Sequence, residues 1–257
     1  MNVPLFHRDL GGAGHPPLLL LHGLLGSSRN WQTAGAELAT HYHVLALDLR
    51  NHGRSPHADA MSYDDLMGDV LAWMETHAVG RATVLGHSMG GKTAMLLACR
   101  HPARVERLVV VDIAPKDYYW VAHRTNFGAM NELNLADIRT RADAELRLEA
   151  RVHDWALRKF LTTNLEQDAN GAWRWQINLP AITAALPTLE ANPLRPEDRF
   201  TGPTRWIVGA ASNYVEVADE AVIRRHFPAA DIRSIAGSGH NPHMETRAAF
   251  VAAVLAP

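Results

Sequence analysis

Gly86-His87-Ser88-Met89-Gly90 lies between a short apolar run, Thr83–Leu85, and a stretch of helical period that opens at Met89. A chain that passes from strand to helix in so few residues must turn sharply, which forces the central serine into a strained conformation and exposes its hydroxyl. The residues two before and two after the serine are then crowded together and must be small. Gly86 and Gly90 meet that need, and Gly91 adds room. With 18 glycines and 8 serines in 257 residues, the pattern G-x-S-x-G is expected by chance about 0.04 times. A glycine-rich turn with an idle serine is the bland alternative, and the strand–turn–helix setting argues against it.

The remainder of the chain supplies the frame such a turn needs. Leu18–Leu21, Val44–Leu47, Thr83–Leu85, Leu108–Val111 and Arg205–Val208 read as strands, with Asp231–Ile235 as a weaker one. Most lack in-and-out alternation, as expected of parallel strands buried on both faces. Helices are predicted from near Ser27 toward His41, after the capping-box-like Ser62 and Asp65, from Met89 to about Arg100, over Val217–Phe227 and over Thr246–Leu255. The third should stop before Pro102, because proline's ring clashes with a helical predecessor. Alternation of this kind predicts an α/β fold with a mostly parallel central sheet flanked by helices.

Between Ile113 and Thr201 the rhythm breaks. Arg139–Leu165 reads as one or two amphipathic helices and Asn178–Glu190 as another, with no strong strand in the interval. A length of 257 residues fits one large domain carrying an insertion. The expected division is a discontinuous α/β core, residues 1–112 and 202–257, and an inserted helical cap, residues 113–201.

Composition narrows the possible partners. Twenty-five Lys+Arg face 27 Asp+Glu, and the insertion alone holds 11 against 12, so nucleic acid is not an expected partner. No apolar run is long enough to span a membrane. The start, MNVPLFHRDL, lacks a signal-peptide pattern, and the single Cys99 precludes an internal disulfide. A cytoplasmic setting is the expectation. His41-Tyr42-His43, His52 with His57, and His240 with His243 lack zinc-binding spacing on a helix, so neither metal nor cofactor is expected. Cys99, with no base at hand, reads as core packing.

A serine hydroxyl is a weak nucleophile at neutral pH and needs a base, itself oriented by a carboxylate. His240 is the best candidate base, because Ala236-Gly237-Ser238-Gly239 carries it back to the carboxyl edge of the sheet. His243 is its rival. Asp112 ends the strand after the nucleophile and is the expected acid. Asn213 stands where an acid is more usual, and Glu216 and Asp219 come only afterwards. An amide cannot stabilise an imidazolium by charge. The oxyanion of acyl transfer would be met by the backbone N–H groups of Leu24, in the glycine-flanked loop His22–Gly26, and Met89. His22, His87, Tyr118, Trp120 and Trp155 are expected to line the substrate pocket. Four of the seven tryptophans (Trp120, Trp155, Trp173, Trp175) fall in the insertion. They would serve equally well as an apolar acyl lining or as the packing of a small helical cap.

His22-Gly23, Gly86–Gly90 and Gly239-His240, in that order, resemble the α/β-hydrolase superfamily. More narrowly, Asp48-Leu49-Arg50-Asn51-His52-Gly53-Arg54-Ser55, Gly86–Lys92, Val111–Pro115 and Trp175–Ile182 are similar to small bacterial esterases of the YbfF type. The resemblance spans nearly the whole chain and is weakest over about Lys116–Gln167. It implies a cofactor-free carboxylesterase for a small-molecule ester, with a helical cap, and Ser88, His240 and Asp112 as its triad. Alternatives on the same machinery are acyl-CoA thioester cleavage and acyl transfer. A ligand-binding protein that keeps the fold but barely turns over is the alternative from a different class.

Overall fold

A computed structural model describes residues 1–256. Its strands are β1 (His7–Asp9), β2 (Pro17–Leu21), β3 (His43–Leu47), β4 (Ala82–His87), β5 (Val105–Val111), β6 (Leu165–Gln167), β7 (Trp173–Trp175), β8 (Thr204–Gly209) and β9 (Ala230–Ile235). Its helices are α1 (Gln32–Leu38), α2 (Tyr63–Thr76), α3 (Met89–Arg100), α4 (Val121–Glu132), α5 (Arg141–Leu148), α6 (Trp155–Thr162), α7 (Leu179–Glu190), α8 (Glu220–His226), α9 (Pro242–Glu245) and α10 (Arg247–Leu255). Seven strands form one sheet in the order β1-β3-β2-β4-β5-β8-β9. Every pairing in it is parallel except β1 with β3.

The unbroken apolar runs of the strands are explained by what covers them. Leu18, Leu20, Leu85, Val109 and Ile207 face a layer built on Trp31, Leu38, Phe250 and Val254, from the helical segments at either end of the chain. Their neighbours Leu19, Leu21, Val84, Leu108 and Trp206 face a larger cluster that includes Leu66, Val70 and Trp73 of α2 and Met95 of α3. With both faces dry, a central strand is apolar along most of its length.

Local signals act where expected. Ser62 Oγ accepts the Asp65 N–H at 3.1 Å and Asp65 Oδ2 accepts the Ser62 N–H at 3.0 Å, so the capping box starts α2. Helix α3 ends at Arg100, ahead of Pro102. The segment near Ser27 is not one helix: a 3-10 turn, Ser28–Trp31, precedes α1. The Asn30 side chain accepts the Ser27 N–H at 2.7 Å, which caps that tight turn.

The interval 113–201 departs from expectation in one respect. It contains α4 to α7, as a helical insertion should, but also the antiparallel pair β6–β7. Three-residue strands carrying Glu166 and Arg174 show no usable periodicity. They are joined by a turn in which Asp168 Oδ1 accepts the N–H groups of Asn170 and Ala172. The edge strand β1, equally short and polar, escapes sequence reading for the same reason. Trp173 and Trp175 pack against a small cluster of Ile138, Ala144 and Leu165.

Candidate active site

Ser88 sits between β4 and α3 with φ 51° and ψ −117°, a region sterically costly for any residue with a Cβ. The neighbouring glycines are demanded by contact. A Cβ on Gly86 would lie 2.1 Å from the Gly90 carbonyl oxygen, and one on Gly90 would lie 2.4 Å from that of Leu21. Ser88 N–H donates to the Val111 carbonyl at 3.0 Å, which locks the turn to the end of β5 and so beside Asp112.

Asp112 follows β5 with φ 50° and is wholly buried. Its Oδ1 accepts the Gly209 N–H at 3.0 Å, and its Oδ2 accepts the Ser212 hydroxyl and lies 2.7 Å from His240 Nδ1. A carboxylate only accepts, so Nδ1 carries the imidazole proton and Nε2 is left with its lone pair. The His240 ring lies on Tyr214 at 3.6 Å between centroids and 16° between planes. The rival acids stand elsewhere: Asp219 is paired with Lys116 Nζ at 2.7 Å and Glu216 is exposed, as is the amide of Asn213.

His243 is buried between Trp31 (4.4 Å), His87 (4.9 Å) and Phe250 (6.0 Å), beneath the site rather than in it. His87 is also buried, and its Nε2–H donates to the His240 carbonyl at 2.8 Å. His22 is enclosed: Nδ1–H donates to Gly23 O at 2.8 Å and Nε2 accepts the Leu49 N–H at 3.0 Å. His22 and His87 thus hold the two loops that flank Ser88.

The loop bearing Leu24 is in close contact with the serine. A Cβ on Gly23 would lie 3.2 Å from Ser88 Cβ and 2.8 Å from His87 Nδ1, so any side chain there would displace His87. The next residue but one, Leu25, has φ 61°. That strain persists because both its backbone groups are held: its N–H by His52 Nε2 at 3.1 Å, its carbonyl by Asn164 Nδ2 at 3.0 Å. Met89 is the first residue of α3, where backbone N–H groups have no partner within the helix and the dipole favours negative charge.

Of the expected pocket aromatics, Tyr118 and Trp120 stack at 5.2 Å and both lie near Tyr214. Tyr118 Oη donates to the Tyr214 carbonyl at 2.7 Å, tying the segment after β5 to the residue under His240. The structure does not bring Trp155 to this cluster; it is 61% exposed, with Lys159 Nζ 4.8 Å from its ring.

Ser212, Tyr214 and Lys92 were not expected from the sequence. Ser212 and Tyr214 lie in the loop after β8, which attracts attention only if it offers a carboxylate. Lys92, one turn along α3 from Ser88, has a fully buried side chain. Its ammonium donates to the carbonyls of Glu190 (2.9 Å) and Ala191 (2.8 Å), which terminate α7, and faces Tyr118 at 4.9 Å. Burial pushes its pKa down to about 7. Burial likewise pushes the Cys99 thiol up to about 12, so it stays protonated and inert.

Burial also lowers the pKa of six histidines: His7, His22 and His87, as well as His123 (to about 4) and His52 and His243 (both to about 3). Each is neutral in the fold at neutral pH. Below 6.5 the unfolded chain takes up protons that the folded chain refuses, so stability falls as pH drops from 6.5 toward 4. Each such histidine steepens the fall by up to about tenfold in the folding equilibrium per pH unit. His243→Phe, in its aromatic surroundings, should flatten the dependence of the denaturant midpoint on pH. Equal slopes for the variant and the parent would show that His243 does not contribute.

Among the described residues no helix is long and apolar enough to cross a membrane, and no three His, Cys, Asp or Glu side chains converge in a metal-binding group.

Comparison with known proteins gives a consistent result. Residues 16–246 match the profile of the α/β-hydrolase fold. An sn-1-specific diacylglycerol lipase of Xenopus laevis is 38% identical over 249 residues, covering 93% of this chain and 78% of that protein. Esterase YbfF of Escherichia coli is 32% identical over 238 residues, covering 93% and 91%. Among solved structures, a marine microorganism esterase superposes with a TM-score of 0.96 at 33% identity, covering 99% of both chains.

Proposed function

The chain belongs to the α/β-hydrolase family, and from that premise we propose that it is a carboxylesterase for small to medium acyl esters, working through an acyl-enzyme on Ser88. The observation that carries this reading is the 2.7 Å contact between buried Asp112 and His240 Nδ1, at the sheet edge where Ser88 sits. His240 Nε2 takes the Ser88 hydroxyl proton as Oγ attacks the ester carbonyl. The N–H groups of Leu24 and Met89 receive the oxyanion. Collapse expels the alcohol, which takes the proton from His240. Water then adds to the acyl group, gives its proton to His240, and the acid leaves as Ser88 Oγ is reprotonated. Asp112 keeps Nδ1 protonated throughout and stabilises the imidazolium. The segment 113–201 acts as a cap, pinned to the nucleophile helix by Lys92.

The names of the Xenopus and E. coli relatives, a lipase and an esterase, support ester chemistry over binding without turnover. A serine-reactive fluorophosphonate tests the reading directly. It should add one covalent mass to Ser88, in parallel with loss of activity on nitrophenyl esters from acetyl to decanoyl. Folded protein that stays unlabelled, or that labels equally well as Ser88→Ala, would favour a binding role.

A further inference from the structure

A cavity of about 510 Å³ opens at the seam between the loop after β3 and the β6–β7 pair, lined by Arg29, Arg54, His57, Glu166 and Arg174 among others. Three exposed arginines from three separate elements thus line one opening that holds a single carboxylate. Glu166 holds Arg174 at 2.7 Å. Among the described residues neither Arg29 nor Arg54 makes an ion pair, and Arg54 lies over the Phe6 ring at 4.2 Å. Gathering like charges costs free energy that a bound anion would recover. Two of the three forks are already oriented, Arg54 by Phe6 and Arg174 by Glu166, so less ordering remains on binding. A carboxylate is satisfied by one guanidinium, whereas a phosphate accepts from several directions at once.

The cavity shares its frame with the loop expected to hold the oxyanion. His52, which accepts the Leu25 N–H, immediately precedes Gly53 and Arg54. Asn164, which donates to the Leu25 carbonyl, accepts the Gln176 N–H at 2.7 Å on the other wall. Arg29 is four residues beyond Leu25. We infer that this cavity is a phosphate subsite that receives a phosphate carried by the substrate. The assignment rests on the ester-hydrolase reading for the word substrate, but the anion site itself does not.

The test uses the intact protein, with pyrophosphate and coenzyme A as probes of thermal stability at low salt. Both should raise the melting temperature of the parent and of the exposed control Arg139→Gln, and neither should protect the double variant Arg54→Gln/Arg174→Gln. Turnover is then compared on butyryl-coenzyme A and butyryl-N-acetylcysteamine, which present the same thioester with and without phosphates. The preference in KM for the phosphate-bearing thioester should fall about tenfold in the double variant. Protection by pyrophosphate alone, with no preference to lose, would overturn the substrate assignment and mark a site for free phosphate. No protection by either probe would overturn the subsite altogether. Failure of the ester-hydrolase reading would look different: no turnover of any ester or thioester, with protection by both probes intact.

Discussion

Ser88→Ala is expected to lower kcat on a nitrophenyl ester by roughly 10^4- to 10^6-fold and to remain folded. In the proposed mechanism the serine forms the acyl bond; the alanine methyl would leave the proposed oxyanion donors and the His240–Asp112 pair in place with nothing to activate. A companion variant separates chemistry from fold. At φ 51° a Cβ is strained and glycine is not, so Ser88→Gly should be as inactive as Ser88→Ala yet more stable by about 1 kcal/mol. Guanidinium titration of the two proteins measures that difference. Ser88→Ala activity within tenfold of the parent would remove Ser88 from the mechanism.

Asp112→Asn is expected to cost about 10^4-fold in kcat with little change in stability. Asparagine tolerates the left-handed backbone at this position, and its carbonyl can keep the Gly209 N–H that Oδ1 now accepts. Its amide nitrogen would then face His240 Nδ1, and two N–H donors cannot meet. The ring must place its proton on Nε2 instead, which in the proposed mechanism is the nitrogen that receives the Ser88 proton. Glu216→Gln and Asp219→Asn should stay within severalfold of the parent, since one is exposed and the other is paired with Lys116. Steady-state kinetics on the three variants decides the acid. A nearly fully active Asp112→Asn would reassign it.

The parts of the fold that were legible in the sequence are those set by short-range physics. The Gly86–Gly90 turn could be read because a steric constraint acts over five residues. The central strands could be read because burial on both faces leaves continuous apolar runs, and α2 because Ser62 and Asp65 satisfy each other's backbone. What escaped were β1, β6 and β7, three residues each, held by neighbours across the sheet or hairpin rather than by a pattern of their own. The aromatic content of the insertion was ambiguous for a related reason. Composition cannot tell Trp120, stacked near Tyr214, from Trp155, left at the surface.

The sequence by itself determined the tight strand-to-helix turn at Ser88, the strands whose ends lie beside it, and the family to which the chain belongs. Those are consequences of spacing along the chain, and spacing is what a sequence records. Only the tertiary structure decided that His240 meets Asp112 while His243 is buried among aromatic rings, since the two histidines are three residues apart and differ only in which way the loop turns them. Only the tertiary structure gathered Arg29, Arg54 and Arg174 around one cavity. Counted along the chain, their charges disappear into a nearly balanced total. Electrostatic energy depends on separation in space, and here the fold brings residues more than a hundred positions apart to the same wall.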